Sequence, residues 1–181
     1  MNDGHSYNFT LINSIDQTLQ TFYSSKISYE QRKELDKNLT NFSNNLANID
    51  ILSQILEGDY SNNLKFFASN SLLNIITSNY LSIDFVFKER IFLNQLKYIF
   101  SKSEELWNNT NNSYLLKSLI QLLARIVRID YLKNPIYQKI VFYINSNMKT
   151  NENNYSQLIV FCLFSEIIHQ FKLPSLPPND K

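Results

Sequence analysis

The most constraining feature of the chain is a long, broadly apolar segment, SYLLKSLIQLLARIVRIDY, between Ser113 and Tyr131. At helical spacing its apolar residues fill two neighbouring faces, formed by Leu115, Leu119, Leu122 and Ile126 and by Leu116, Ile120, Leu123 and Val127. A sector this wide predicts a helix buried on more than one side. One narrow edge, which we expect to stay solvated, carries the charged residues Lys117, Arg125, Arg128 and Asp130. Stacked helical-repeat scaffolds require helices of this kind.

The composition favours an all-α fold. The 181 residues include only two glycines and four prolines, and 44% of them are hydrophobic. Most of the chain therefore lacks the residues that make hairpin turns. The length suffices for one domain with a sizeable core. We predict a helical domain over residues 1–173 and an extended tail over 174–181, where Pro174, Pro177 and Pro178 stop any helix.

Charge and sequence context exclude several classes of partner. The formal net charge is +1, so no field attracts nucleic acid or an anionic membrane. The apolar runs are far shorter than the roughly 20 residues that span a bilayer, and the N-terminus lacks the pattern of a signal peptide. The only cysteine, Cys162, lies within LIVFCLF. We predict that it is buried and that the chain works in a reducing compartment.

The apolar periodicity predicts about eight helical segments. They cover residues 8–24, 28–42, 46–57, 62–80, 84–106, 113–130, 135–147 and 153–171. Ser28 and Gln31 form a capping box before the second segment, and Gly58 suits a left-handed cap after the third. Asn134 precedes a proline at a first helical position, which is a strong start signal.

The core predicted from these segments consists of the residues on their apolar stripes. Besides the two faces already described, it includes Ile12, Ile15, Leu19, Phe22, Leu35, Leu39, Phe42, Phe66, Phe67, Leu72, Leu73, Ile75, Ile76, Phe85, Val86, Ile91, Phe92, Leu96, Ile99, Phe100, Ile136, Ile140, Val141, Ile144, Leu158, Ile159, Phe161, Phe164, Ile167 and Ile168. The aromatic residues on these stripes are expected to fill the core rather than to stack on nucleic-acid bases.

The segments are interpreted as antiparallel pairs. The spacing between the second helices of successive pairs is irregular, which fits two-helix HEAT repeats of about 40 to 47 residues better than stricter repeat families. The predicted fold class is therefore an α-α superhelix, or solenoid, of about four HEAT-type antiparallel helix pairs. An irregular helical bundle without a superhelix is the alternative that the pattern leaves open.

No arrangement of residues points to catalysis. His5 and His169 are isolated, and one cysteine cannot complete a metal site with them. The chain lacks the glycines of a phosphate-binding loop, and Glu104 and Glu105, as neighbours on a helix, face different directions. We therefore predict no enzymatic activity, no cofactor and no metal. Trp107 is interpreted either as a cap on the apolar end of its helix or as an interface anchor.

Three stretches resemble the N-terminal region of importin-β superfamily nuclear transport receptors, and of exportins in particular. ELDKNLTNFSNN is similar to the helix that opens this region, and ILSQILEGDYSNNLKFFASNSLLNIITSNY is similar to the following pair. SLIQLLARIVRIDYLKNP is similar to the second helix of the third pair and its exit. The likeness extends over residues 10–171 and consists of apolar patterns rather than chemical signatures.

The resemblance implies a set of HEAT repeats that help to bind the GTP-loaded small GTPase Ran on their concave side. It also implies a receptor that shuttles between nucleus and cytoplasm through the nuclear pore, with protein cargo and contacts to nucleoporins. Receptors of this family are several times longer than the chain. The sequence therefore fits a fragment, a truncated product or a short relative, and the direction of transport stays open.

The candidate Ran contacts are polar residues on the second helix of each pair: Lys33, Asp36, Lys37, Asn70, Asn74, Arg125 and Arg128. A solvated rim with intramolecular ion pairs is equally compatible with each of them. The alternative function is a generic helical-repeat adaptor that binds a peptide or a partner helix without Ran.

Overall fold

The computed structural model describes residues 3–109, 112–150 and 154–173, with the backbone only for residues 3–7, 143 and 147–150. Helices and short turns make up these ranges, which contain no β-strand. The prediction of an all-α fold is therefore confirmed. None of the helices in these ranges has the length and apolarity needed to cross a lipid bilayer. The predicted tail over 174–181, with its prolines, lies outside the described residues.

The described residues form ten α-helices and one 3₁₀ turn, Leu46–Asn48. The helices are α1 (Asp3–Tyr23), α2 (Tyr29–Ser43), α3 (Ile49–Glu57), α4 (Asn62–Ser78), α5 (Phe85–Ser101), α6 (Ser103–Asn108), α7 (Ser113–Asp130), α8 (Pro135–Gln138), α9 (Ile140–Thr150) and α10 (Asn154–Lys172). Contacts divide the chain into two compact units, residues 1–75 and 76–181, with the boundary inside α4. Each unit has its own apolar core.

The first unit is built on the predicted stripe of α1. Ile12, Ile15 and Leu19 are each no more than 6% exposed. A hydrogen bond from Asn8 Nδ2 to Gln54 Oε1, 3.2 Å long, joins α1 to α3. The rest of this core comes from α2, α3 and α4 and consists of Leu39, Leu52, Ile55, Leu56, Leu64, Ala68, Leu72 and Ile75. The predicted core of this unit is confirmed in part. Its residues Phe22, Leu35, Phe42, Phe66, Phe67 and Leu73 are only half-buried.

The second unit is organised around α7. The eight leucine, isoleucine and valine residues of its two predicted faces are each no more than 6% exposed. The helix packs against α5, α6 and α10, so it is buried on several sides, as predicted. Tyr137 of α8 is fully buried and meets Phe92 of α5 edge to face, with ring centroids 5.2 Å apart.

Two of the predicted start signals are confirmed. The Ser28 hydroxyl accepts from the Gln31 amide, and the Gln31 side chain accepts from the Ser28 amide, which completes the capping box of α2. The Asn134 side chain accepts from the Ile136 amide, with Pro135 at the first position of α8. Both signals depend on residues within four positions of each other, so they can be seen in sequence.

The left-handed cap predicted at Gly58 is wrong. Its backbone is extended, with φ −86° and ψ 175°, while its amide donates to the Gln54 carbonyl. Space rather than backbone angle explains the glycine. A Cβ at this position would lie 2.5 Å from Tyr60 Cε2 and 3.1 Å from the Gln54 carbonyl oxygen. The chain turns back so closely after α3 that a side chain would displace the Tyr60 ring.

The single helix predicted over 84–106 is in fact two, because the chain breaks at Lys102 between α5 and α6. The break turns Ser103 inward, where it is 2% exposed. The Ser156 hydroxyl of α10 donates to the Ser103 hydroxyl over 3.3 Å. Since no glycine or proline stands at this break, periodicity could not locate it.

The helix predicted over 135–147 is also divided, at Lys139, into α8 and α9. The Lys139 amide donates to the carbonyls of both Pro135 and Ile136. This shared bond tightens the last turn of α8 toward 3₁₀ geometry. After the break Ile140 and Ile144 remain buried, as predicted, but Val141 is 55% exposed.

The prediction that Cys162 is buried is wrong, since the thiol is exposed on α10. The apolar residues assigned to the core that are also exposed are Phe85, Val86, Val141, Leu158, Phe161 and Ile168. The cause on α10 is that this helix is apolar around most of its circumference, but only the face with Ile159, Leu163 and Ile167 is buried. The opposite face is open.

Candidate functional site

Three of the candidate contact residues form an open charged edge on α2. Lys33, Asp36 and Lys37 are all exposed, and their spacing of three and four residues places them on one helical face. On its other side α2 buries Leu39. This edge is available to a charged partner without the cost of uncovering buried groups.

The two asparagines predicted on α4 differ in accessibility. Asn70 is half-buried, and its Nδ2 donates to the Phe66 carbonyl of the same helix at 3.1 Å. Asn74 is exposed. The amide of Asn70 therefore serves the helix itself, while Asn74 can contact a partner.

Arg125 and Arg128 lie on the edge of α7 that faces α10, and both are half-buried. Arg128 Nη2 donates to the Leu173 carbonyl over 3.0 Å. Burial and the neighbouring Arg128 lower the pKa of Arg125, and the carboxylate of Glu166 on α10 acts in the opposite direction. Arg128 thus bonds the residue that follows α10, and Arg125 lies within electrostatic reach of Glu166 on α10.

The prediction that this edge of α7 is solvated is therefore correct only in part. Of its four charged residues, Lys117 is exposed, the two arginines are half-buried and Asp130 is 1% exposed. α10 packs on α7 near the arginines, with Glu166 acting on Arg125, and Asp130 pairs with Lys88 of α5. Both helices are distant in sequence from α7, so the pattern of α7 itself could not predict them.

Asp130 belongs to a buried ion pair that the sequence did not predict. Lys88 Nζ of α5 lies 2.9 Å from Asp130 Oδ2 and donates to Oδ1 at 3.1 Å, and both side chains are at most 3% exposed. The same ammonium donates to the Tyr80 carbonyl at 3.3 Å. Nothing in the local sequence distinguishes Lys88 from a surface lysine of α5.

Polar groups continue from this ion pair to the start of α8. Asn134 Nδ2 donates to Glu89 Oε2 at 2.7 Å. Burial, followed by the negative charges of Asp130 and Glu89, raises the pKa of Tyr137 above its ordinary value. These contacts join α5, the end of α7 and α8 to one another.

A groove of about 450 Å³ lies among α6, α7 and α10. Its apolar lining includes Leu106, Leu116 and Ile120, and Trp107, which is 36% exposed, stands at its edge. The remaining lining residues are Ser113, Lys117, Gln121, Cys162, Ser165 and Glu166. A groove of this volume, lined by both apolar and polar side chains, is large enough to receive part of a ligand or partner.

The structure brings together no recognisable catalytic or metal-binding group within the described ranges, where no three His, Cys, Asp or Glu residues lie close enough to hold a metal ion. His169 is exposed in the last turn of α10. The side chain of His5 lies outside the described part.

No protein-family model, curated protein or solved structure matches the chain. The likeness to importin-β superfamily receptors therefore depends on the three sequence stretches given above.

Proposed function

We propose that the chain is the Ran-GTP-binding N-terminal part of a nuclear transport receptor of the exportin type, similar to exportin-7 (Ran-binding protein 16). In this proposal its helix pairs stack as HEAT repeats into an α-α superhelix. The observation that supports the proposal best is α7. It carries the stretch that resembles the receptors, and it is enclosed by α5, α6 and α10, as the inner helix of a stacked repeat must be.

Accessibility ranks the candidate Ran contacts. The charged edge of α2 and Asn74 are exposed, whereas Arg125 and Arg128 are half-buried and engaged with the C-terminal helix. We therefore assign the first contacts with Ran to Lys33, Asp36 and Lys37. A receptor built on this chain would carry protein cargo, contact nucleoporins and shuttle between nucleus and cytoplasm.

The direct test is a titration of the purified chain with Ran loaded with GTP or with GDP. The two forms differ in their switch segments, and a partner can tell them apart only through contacts that change with those segments. We expect binding to Ran–GTP and much weaker binding to Ran–GDP. Equal affinity for both forms, or no binding at high concentration, contradicts the proposal.

A charge-reversal variant tests the assigned surface. Lys33→Glu combined with Lys37→Glu should lower the affinity for Ran–GTP by roughly tenfold or more, mainly through slower association. The control is Lys97→Glu, a reversal at an exposed position of α5. Helicity should be unchanged in both variants. Unchanged affinity in the α2 variant would move the contact away from this edge.

The groove beside Trp107 favours a second candidate, a helical-repeat adaptor that binds a peptide or a partner helix without Ran. Apolar grooves between helices receive amphipathic helices in many complexes. This candidate predicts no response to either form of Ran. It also predicts that a bound helix changes the fluorescence of Trp107, the only tryptophan in the chain.

A further inference from the structure

The exposed face of α10 forms an apolar ridge. Leu158, Phe161 and Ile168 are 41%, 73% and 56% exposed, and their spacing, with Ser165 between them, places them on one side of the helix. Glu166, which is half-buried, is the only charged residue from Asn154 to Ile168. Contiguous exposed apolar residues of this kind mark interaction sites.

The groove beside Trp107 lies directly next to this ridge. Cys162, Ser165 and Glu166 of α10 form one of its walls, and α6 and α7 supply the others. Thus one helix carries both a protruding apolar element and the edge of an apolar depression. A twofold-symmetric interface needs this combination, because the same patch must supply both halves of each contact.

We propose that the chain forms a twofold-symmetric dimer in which the α10 ridge of each copy enters the Trp107 groove of the other. Phe161 is then the anchor, packed against Trp107 and Ile120 of the second copy. Aromatic anchors in desolvated pockets contribute most of the binding energy at interfaces. The inference does not depend on Ran binding.

Electrostatics allows two copies to approach in this way. The formal net charge is only +1, so the long-range repulsion between copies is small. The ridge brings no exposed charge into the apolar part of the groove. Lys117 and Glu166, of opposite sign, lie in the groove lining rather than on the ridge. The ridge itself therefore contributes no charge that must lose its hydration.

The proposed dimer places Cys162 in the interface. It lies on the groove side of α10, and in a symmetric dimer the two α10 helices run side by side in opposite directions. With the twofold axis perpendicular to α10 near Cys162, as the proposal places it, the thiols of the two copies face one another. As the only cysteine in the chain, it gives a specific report on this geometry.

Sedimentation and fluorescence of the full chain test the proposal first. We expect a monomer–dimer equilibrium, with the emission of Trp107 moving to shorter wavelength as concentration rises. Phe161→Glu should weaken the dimer roughly 30-fold or more. The matched control is Phe9→Glu on α1, where the phenylalanine is 59% exposed, and it should dimerise normally. A short bis-maleimide reagent should link wild-type copies through Cys162, but not the Phe161→Glu variant.

A mixing experiment tests the reciprocal geometry. Trp107→Glu damages the groove and Phe161→Glu damages the ridge, so each variant should be monomeric by itself. A mixed pair keeps one intact contact, the ridge of the Trp107→Glu chain in the groove of the Phe161→Glu chain. We therefore expect an equimolar mixture to recover part of the dimer. Circular dichroism verifies that both variants keep their helices.

The opposite results are equally clear. A wild-type chain that stays monomeric at high micromolar concentration overturns the proposal, and the groove is then assigned to a different protein or peptide. A dimer that survives both substitutions shows that another face mediates association. If both variants are monomeric but their mixture does not associate, the reciprocal ridge-and-groove contact is excluded. None of these results bears on the Ran titration.

Discussion

Lys88 and Asp130 show how much a single residue can depend on a partner far away in sequence. Their side chains are almost wholly buried, 2.9 Å apart, with the ammonium also bonded to the Tyr80 carbonyl. Such a pair contributes little net stability against an apolar replacement, but either charge without the other is strongly unfavourable. The pair therefore favours one register of α5 against the end of α7, where the two groups meet.

Single substitutions in this pair should be costly and the double substitution mild. Lys88→Met or Asp130→Asn should lower the free energy of unfolding by about 3 to 5 kcal/mol, whereas Lys88→Met with Asp130→Leu should cost far less. Urea denaturation followed by circular dichroism measures these changes. The exposed pair Lys102 and Glu105 is the control, since its loss should cost no more than about 1 kcal/mol. A single-substitution cost of that small size would show that the buried pair is dispensable.

Tyr137 predicts a pH dependence of stability at high pH. Burial and the carboxylates of Asp130 and Glu89 raise its pKa in the folded chain, while in the unfolded chain tyrosine ionises near pH 10. Ionisation of this phenol therefore does not affect stability below about pH 10, and it lowers stability progressively as pH rises above that value. In that range Tyr137→Phe should remove a slope of up to about 1.4 kcal/mol per pH unit.

The same substitution makes a separate prediction near neutral pH. The buried Tyr137 hydroxyl has no hydrogen-bond partner among the described residues, so its removal should be neutral or slightly stabilising. Tyr29→Phe, at an exposed position, is the control for loss of a hydroxyl. Urea titrations at pH 7, 9, 10 and 11 separate the two effects. A large loss of stability at pH 7 would mean that the hydroxyl has a structural role after all.

At the scale of elements, features set by local sequence were predictable and features set by distant contacts were not. The two buried faces of α7, the stripe of α1, the Ser28 capping box and the Asn134 cap each depend on residues a few positions apart. At the break at Lys102, by contrast, Ser103 meets Ser156 of α10, which is distant in sequence. No local signal marks that contact.

The candidate site divides in the same way. The exposed edge of α2 follows from helical periodicity, because Leu39 identifies the opposite face. Arg125 and Arg128 could not be placed, because their burial involves α10, which follows α8 and α9 in the chain. The open face of α10 was missed for a related reason. A helix that is apolar on most sides does not indicate which sides its neighbours will cover.

The packing of α10 on α7 predicts that the arginine edge is structural. Arg125→Glu with Arg128→Glu removes the bond to the Leu173 carbonyl and places negative charge beside Glu166. We expect the free energy of unfolding to fall by about 1.5 to 3 kcal/mol, the usual contribution of hydrogen bonds to charged groups. Lys97→Glu on α5 should change it by no more than about 0.5 kcal/mol. If the double arginine variant is as stable as the Lys97→Glu variant, the arginine edge is free for a partner.

At the scale of the molecule, the C-terminal helices leave several large apolar side chains exposed. The four-residue helix α8 ends at a break, α9 exposes Val141 and Phe142, and α10 has its open ridge. Local stability follows the number of buried apolar contacts that an element makes. Stacked helical proteins usually end in a polar face, but here the last described helix is apolar on its exposed side.

Hydrogen exchange measured at several protein concentrations connects this weakness to the proposed dimer. In a dilute monomer we expect residues 135–171 to exchange fastest after the chain ends, because their helices open at the lowest free energy. As concentration rises, protection should increase along α10 and around Trp107, while α1 to α3 remain unchanged. Phe161→Glu should keep the fast exchange at every concentration. A second copy stabilises the ridge only to the extent that it is bound, and in a dilute sample almost no copies are bound. Uniform protection in a dilute wild-type monomer would therefore show that this end is as stable as the rest by itself.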